Sequence, residues 1–236
     1  MTVKDASLSN LEGADGSAQY SQDGFVVIGA VNGPIEVQRR DELPEEAAIE
    51  VNVRPAVGVG SPSERHLETL LQSFLRPVIL VENFPRTLIQ VTLQVLSVPE
   101  LQYSPLAILP ALLQASLLAL LSASIPLQTT YTTAAIRLSQ AGEVLTISKL
   151  KTQTTPGSFH VFAFTSQGDL LLTQSEGSFT IDDWHKAYSV AEERCRGKDL
   201  DPDSDMVVDE YGISLQDQVR KSVQDGVEIS RRWKKI

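Results

Sequence analysis

The sequence predicts an α+β fold in which α-helices pack on mixed β-sheets. Three observations carry this expectation. Short segments alternate apolar and polar residues with a period of two, as half-buried strands do. Other segments carry helical signals, one with a single apolar face and one apolar all round. The strands come in runs followed by helices, the order of an α+β chain. The 236 residues are 42% hydrophobic, enough for a sizeable core. Charged residues make up 21% and the mean hydropathy is -0.05, a globular composition.

The elements follow in order. Phe25–Val31, FVVIGAV, is a buried strand announced by the turn signal Asp23-Gly24. Asn32-Gly33-Pro34 marks a second turn before the strand pattern resumes at Ile35–Val37, and Arg39–Glu46 is a charged loop. Ile49, Val51 and Val53 alternate with Glu50, Asn52 and Arg54, a half-buried strand. A helix then starts with Ser61 as N-cap, Pro62 at the first helical position and Glu64 completing a capping box. Leu67, Leu70, Leu71, Phe74 and Leu75 give it one apolar face, and Pro77 is expected to end it. Ile89, Val91, Leu93 and Val95 alternate with Gln90, Thr92 and Gln94, a further strand.

After the loop Val98–Pro105 comes Leu106–Ile125, as long as a membrane span. It contains Pro110, Gln114, Ser116, Ser122 and Ser124, and no Lys, Arg or Trp anchors its ends. A core helix covered on all sides is therefore expected, capped by Ser104, with Pro105 as its first residue and Pro110 near its first turns. The second half reads as strands Tyr131–Leu138, Glu143–Leu150, Ser158–Phe164 and Asp169–Thr173. Breaks fall at Ala141-Gly142 and Gln167-Gly168. Thr180 and Asp183 open a helix whose Trp184, Tyr188, Ala191 and Cys195 share a face. An acidic insert near 199–212 precedes a last helix that starts near Ser214 and ends in RRWKKI. One domain spanning 1–236 is expected.

Charge and chemistry narrow the function. The net charge of -10 disfavours tight binding of nucleic acid by the chain alone. The one cysteine, Cys195, excludes an intrachain disulfide, and a reduced intracellular compartment is the natural reading. The first residues hold no apolar run of the signal-peptide kind. His66, His160 and His185 are far apart, without metal-ligand spacing, and read as partly exposed polar residues; no metal or other cofactor is expected. Gly58-Val59-Gly60 lacks the Lys and Ser/Thr of a phosphate-binding P-loop. Asp182-Asp183 stands at a helix start, where acids favour the dipole, and Arg231–Lys235 reads as a solvated helix end.

Several strings together carry a resemblance: SQDGFVVIGAVNGPIEV, EVNVRP, the Ser61–Arg76 helix ending FLRP, PRTLIQVTLQVLS and ALLQASLLALLSASIPL. PRTLIQVTLQVLS at Pro85–Ser97 is the most specific. The chain resembles the RNase PH superfamily over about residues 8–198, and within it the ring subunits of the eukaryotic exosome. The resemblance implies an RNase PH-like fold. Active members shorten RNA 3′ ends by attack of phosphate. They use a Gly- and Arg-containing loop for the phosphate, an acidic pair with its second Asp six residues on, and arginines before the first helix for the RNA backbone.

This sequence departs from each requirement. The window for the phosphate loop, Ser97–Leu109, has no Arg, Lys or Gly, and no basic residue lies between Arg86 and Arg137. Gln153 and Phe159 stand where the aspartates belong, and no acid lies between Glu143 and Asp169. Before the first helix, Ser63 stands at the RNA-holding position, leaving Arg54 and Arg65 as RNA-contact candidates. A missing charge cannot stabilise a transition state. No catalytic residue is assigned.

The resemblance thus implies a non-catalytic subunit of the exosome core ring. It would pair with other RNase PH-like subunits, beneath a small-β cap subunit, with RNA passing through the assembled channel. Nucleus, nucleolus and cytoplasm are its expected locations, with no membrane partner. The alternatives are another inactive ring subunit, or a divergent ribonuclease using Asp169, Glu176, Asp182 or Asp183.

Overall fold

The computed structural model describes residues 6–40, 42–99, 104–140, 142–145, 157–196 and 215–231. The chain divides into two compact units, residues 1–130 with 222–236, and residues 131–221. The acidic stretch near 199–212 lies outside the described residues.

The first unit is built on a five-stranded mixed sheet. Its strands are β1 (Ala6–Leu8), β2 (Gly16–Gln22), β3 (Phe25–Glu36), β4 (Ala48–Arg54) and β5 (Thr87–Ser97). Their order is β1-β2-β3-β5-β4, with β4 parallel to β5 and the other pairs antiparallel. Helix α1 (Pro62–Val78) connects β4 to β5, the crossover that a parallel pair requires. It packs on β4 through Leu67, Leu71, Phe74 and Leu75. The Val53 amide donates to Glu68 Oε1 at 2.9 Å, and Gln72 donates to the Ile49 carbonyl at 2.8 Å.

The apolar segment forms a 3-10 turn, Pro105–Ile108, followed by α2 (Leu109–Ser122). The turn displaces the α-helical start, so that Pro110 falls within the first helical positions, where its missing N–H has no intrahelical partner to lose. Every residue from Leu109 to Leu120 is buried. Helix α2 lies close on β2 and β3 because glycine faces alanine there. A Cβ on Gly16 would come 2.2 Å from the Ala123 amide nitrogen, and one on Gly29 would come 3.0 Å from the Ala115 carbonyl oxygen.

Two expectations in this unit are corrected. Asn32-Gly33-Pro34 is not a turn but an irregularity inside one long strand, where the β3–β5 register shifts between Asn32 and Ile35. Gly33 at φ 148° makes the close approach to the Leu88 carbonyl possible, since a Cβ would sit 2.9 Å from that oxygen. Helix α1 also continues through Pro77 to Val78, because proline in a final turn disturbs little of the ladder, and the Ile79 amide closes the helix on Leu75.

The second unit holds the antiparallel sheet β6 (Tyr131–Leu138), β7 (Ser158–Thr165) and β8 (Leu170–Gly177), in that order. Helix α3 (Ile181–Arg196) packs on β6 and β7 through Ala187, Ala191 and Cys195, with Trp184 and Tyr188 beside them. The Thr180 hydroxyl and amide donate to Asp183 Oδ2 at 2.7 and 3.2 Å, the expected cap. The strand expected at Glu143–Leu150 is, among the described residues, a single bridge between Val144 and Leu138. Helix α4 (Leu215–Ser230) contributes Leu215 to this core.

The Gly16 contact makes a direct test. Gly16→Ala should destabilise the chain by about 1–3 kcal/mol in chemical denaturation, as overpacking does. Gly13→Ala, where nothing lies within 4 Å of the added atom, should leave the midpoint unchanged.

Candidate functional site

The parallel strands β4 and β5 end side by side, with Val53 opposite Leu93 and Arg54 opposite Gln94. Beyond them opens a cavity of about 370 Å³. Val53, Pro55 and Ala56 continue from β4, and Val95 and Val98 come from β5 and its end. Ser63, Glu64 and Leu67 line it from α1, and Ser104, Pro105 and Ile108 from the 3-10 turn. A crevice at the carboxyl ends of parallel strands, facing helix starts, is a place where anions bind in other proteins.

The described lining works against an anion. Among the described residues that line it, Glu64 is the one that ionises. The Ser61 hydroxyl donates to the Glu64 carboxylate, and this holds the carboxyl below its ordinary value, so it is charged at neutral pH. A phosphate charge about 4 Å from such a carboxylate would meet about 1 kcal/mol of repulsion in water-like surroundings and about 4 kcal/mol at an effective dielectric constant near 20.

The backbone donors at these helix starts are also occupied. The Ser61 amide donates to Glu64 at 2.7 Å, the Ser63 amide to Ser61 Oγ at 3.3 Å and the Arg65 amide to the Ser61 carbonyl at 3.3 Å. Across the cavity, the Leu106 amide donates to Ser104 Oγ at 3.0 Å and the Ala107 amide to the Ser104 carbonyl at 3.1 Å. Pro62 and Pro105 have no amide hydrogen. Among the described residues of the lining there is no cation, and the helix-start amides named above are already bonded.

The two sequence-predicted arginines are both placed near this cavity but outside its lining. Arg54 is exposed at the end of β4, next to Val53. Arg65 is exposed on the first turns of α1 and pairs with Glu68 at 3.2 Å. Glu68 also accepts the Val53 amide, so one carboxylate links the two arginine-bearing segments. Sequence reasoning took Glu64 only as a cap and missed its place in the cavity wall. The spacing Ser61–Pro62–Ser63–Glu64 was the available signal, since a carboxylate closing a capping box is fixed over the helix start.

The other positions resolve separately. Glu100–Tyr103 and Gln153 lie outside the described residues. Phe159 is buried in β7 opposite Arg137, whose guanidinium lies 5.5 Å from the ring centroid. His66 and His185 are exposed. His160 corrects the expectation of partial exposure, being fully buried. Its ring nitrogens lie 3.0 Å from Ser158 Oγ and 2.8 Å from Ser175 Oγ. Burial pushes this imidazole below its ordinary value, and Asp183 opposes the shift. Asp183 is engaged by Thr180 and Lys186 rather than paired with Asp182 in a site. Among the described residues no cluster of three His, Cys, Asp or Glu could hold a metal ion.

Comparison with known proteins agrees with the fold. Residues 5–126 match the family model described as RNase_PH, 3′ exoribonuclease family, domain 1. The exosome complex component RRP46 of Saccharomyces cerevisiae is 33% identical over 208 residues, covering 81% of this chain and 89% of the relative. Among solved structures, rice (Oryza sativa) Rrp46 superposes with a TM-score of 0.73 at 24% identity, over 94% of this chain and 95% of that one. A chain of the Archaeoglobus fulgidus exosome with RNA bound to the active site superposes with a TM-score of 0.63 at 14% identity, over 80% and 84%.

Proposed function

This chain belongs to the 3′ exoribonuclease (RNase PH) family, and on that premise we propose that it is a non-catalytic structural subunit of an RNA exosome core ring. The observation that carries the loss of catalysis is the cavity at the ends of β4 and β5. Among the described residues of its lining the one that ionises is an anionic glutamate, and the amides of the two helix starts are already bonded. Phosphate, the attacking group in active members, would meet that negative charge if it bound in this cavity. The sequence supports the same reading on the acid–base side, where Gln153 and Phe159 replace carboxylates. Phe159 is packed under a cation and cannot move a proton.

A chain without its own chemistry contributes by shape and surface. The likeness to exosome components supports pairing with other RNase PH-like subunits in a hetero-oligomeric ring beneath a small-β cap subunit. Arg54 and Arg65 are the cations we assign to RNA moving through that ring. They are exposed, close to the cavity, and suited to the phosphate backbone rather than to base edges. Such a ring would work in the nucleus, nucleolus and cytoplasm, without a membrane partner.

A particle purified on the tagged full chain tests this. RNase PH-like and cap subunits should co-purify in fixed proportion; recovery of the chain without them would contradict ring membership. In the same particle, Arg54→Ala with Arg65→Ala should make the salt dependence of RNA binding shallower by about one unit per lost phosphate contact. An unchanged slope would remove the two arginines from the RNA path.

A further inference from the structure

Proline follows a serine or threonine three times in the chain, at Ser61-Pro62, Ser104-Pro105 and Thr155-Pro156. Ser104 is buried, and its hydroxyl caps the 3-10 turn. Thr155 lies outside the described residues. Ser61 differs from both in its setting. It is half-buried and follows a loop whose tip is exposed. Val57 and Val59 are 90% and 95% exposed, and nothing lies within 4 Å of where a Cβ would sit on Gly58 or Gly60. Ser61 itself is extended, at φ -103° and ψ 174°. An extended acceptor following an exposed loop tip is the shape that enters a protein-kinase cleft. Pro62 supplies the specificity feature, a following residue with fixed φ and no amide hydrogen to satisfy.

We propose that Ser61 is phosphorylated by a proline-directed protein kinase, and that this modification switches the charge beside Arg54 and Arg65. The consequence for RNA rests on the function proposed above; the modification does not. In the reaction, Ser61 Oγ forms a bond to the γ-phosphorus of a nucleoside triphosphate. The bond from that phosphorus to the bridging oxygen breaks, and the nucleoside diphosphate leaves with the electron pair. The hydroxyl proton passes to the kinase base.

The surroundings give the product a defined effect. The hydroxyl now donates to Glu64, so a phosphoryl group at this oxygen ends that bond and faces the carboxylate with like charge. The Ser63 amide, already directed at Ser61 Oγ, remains as a donor to the new group. Arg65 lies four residues on, one helical turn away, with its side chain 82% exposed and held by a surface pair to Glu68. It is therefore available to turn to the phosphate. The modification adds about -1.5 to -2 charges. That cancels most of the positive charge that Arg54 and Arg65 offer to RNA.

The full chain, incubated with a cyclin-dependent-class kinase and ATP, should incorporate phosphate that fragment-ion mass spectrometry places on Ser61. Ser61→Ala and Pro62→Ala should each lower incorporation at least tenfold, while Ser61→Thr, which keeps a hydroxyl and the cap, should retain it. The chain isolated from growing cells should carry the same phosphate. No incorporation, phosphate on Ser63 instead, or incorporation that persists in Ser61→Ala or Pro62→Ala would overturn the proposal. So would an unmodified Ser61 peptide, observed in full, from the cellular protein. Failure of the ring reading would show in co-purification and leave this phosphate readout unmoved.

Discussion

A helix that is apolar on every side can exist in water only when it is covered on every side, and α2 imposes that condition on the first unit. Its six leucines between Leu109 and Leu120 are all buried, each worth about 1.5–3 kcal/mol relative to exposure. Close approach to β2 and β3 is what buries them, and close approach needs Gly16 and Gly29 where the alanines of α2 cross the sheet. The position of α2 on the sheet then fixes where its preceding turn begins, at Ser104 and Pro105, opposite the first turn of α1. The cavity is the space left between those two starts and the ends of β4 and β5.

The architecture of that space favours an anion, while the described residues lining it carry a glutamate and no cation. Helix starts offer unpaired amides and positive dipole ends. Here the side chains of Ser61, Glu64 and Ser104 take up the amides, and prolines remove two more. The same residues that make α1 and the 3-10 turn stable therefore hold donors that a phosphate would otherwise use. Capping and catalysis compete for the same donors, and in this chain capping holds them. Glu64 adds a fixed negative charge in the cavity wall, which no shift of sequence register would remove.

Much of this was legible in the sequence where one local rule governs. The capping box and apolar face of α1, the alternation in β4 and β5, and the Thr180–Asp183 cap each follow from neighbouring residues. What was not legible depends on residues far apart in the chain. β2, GSAQYSQ, carries no clear strand pattern of its own; it is a strand that α2 packs against. Asn32-Gly33-Pro34 reads as a turn and becomes an irregularity because β5 holds both sides of it in one strand. His160 reads as a partly exposed polar residue and is buried, with Ser158 and Ser175 satisfying both ring nitrogens. The absence of cations from the phosphate window could be read directly. The glutamate that closes the cavity could not, because its capping role is local and its place in the cavity wall is tertiary.

On the reading proposed above, this site does not use phosphate. The most direct test is the purified chain incubated with 5′-labelled single-stranded RNA across a titration of inorganic phosphate and divalent cation. No 3′ shortening above the blank and no release of nucleoside diphosphates is expected at any phosphate concentration. Phosphate-dependent release that disappears in Gln153→Ala would contradict that reading.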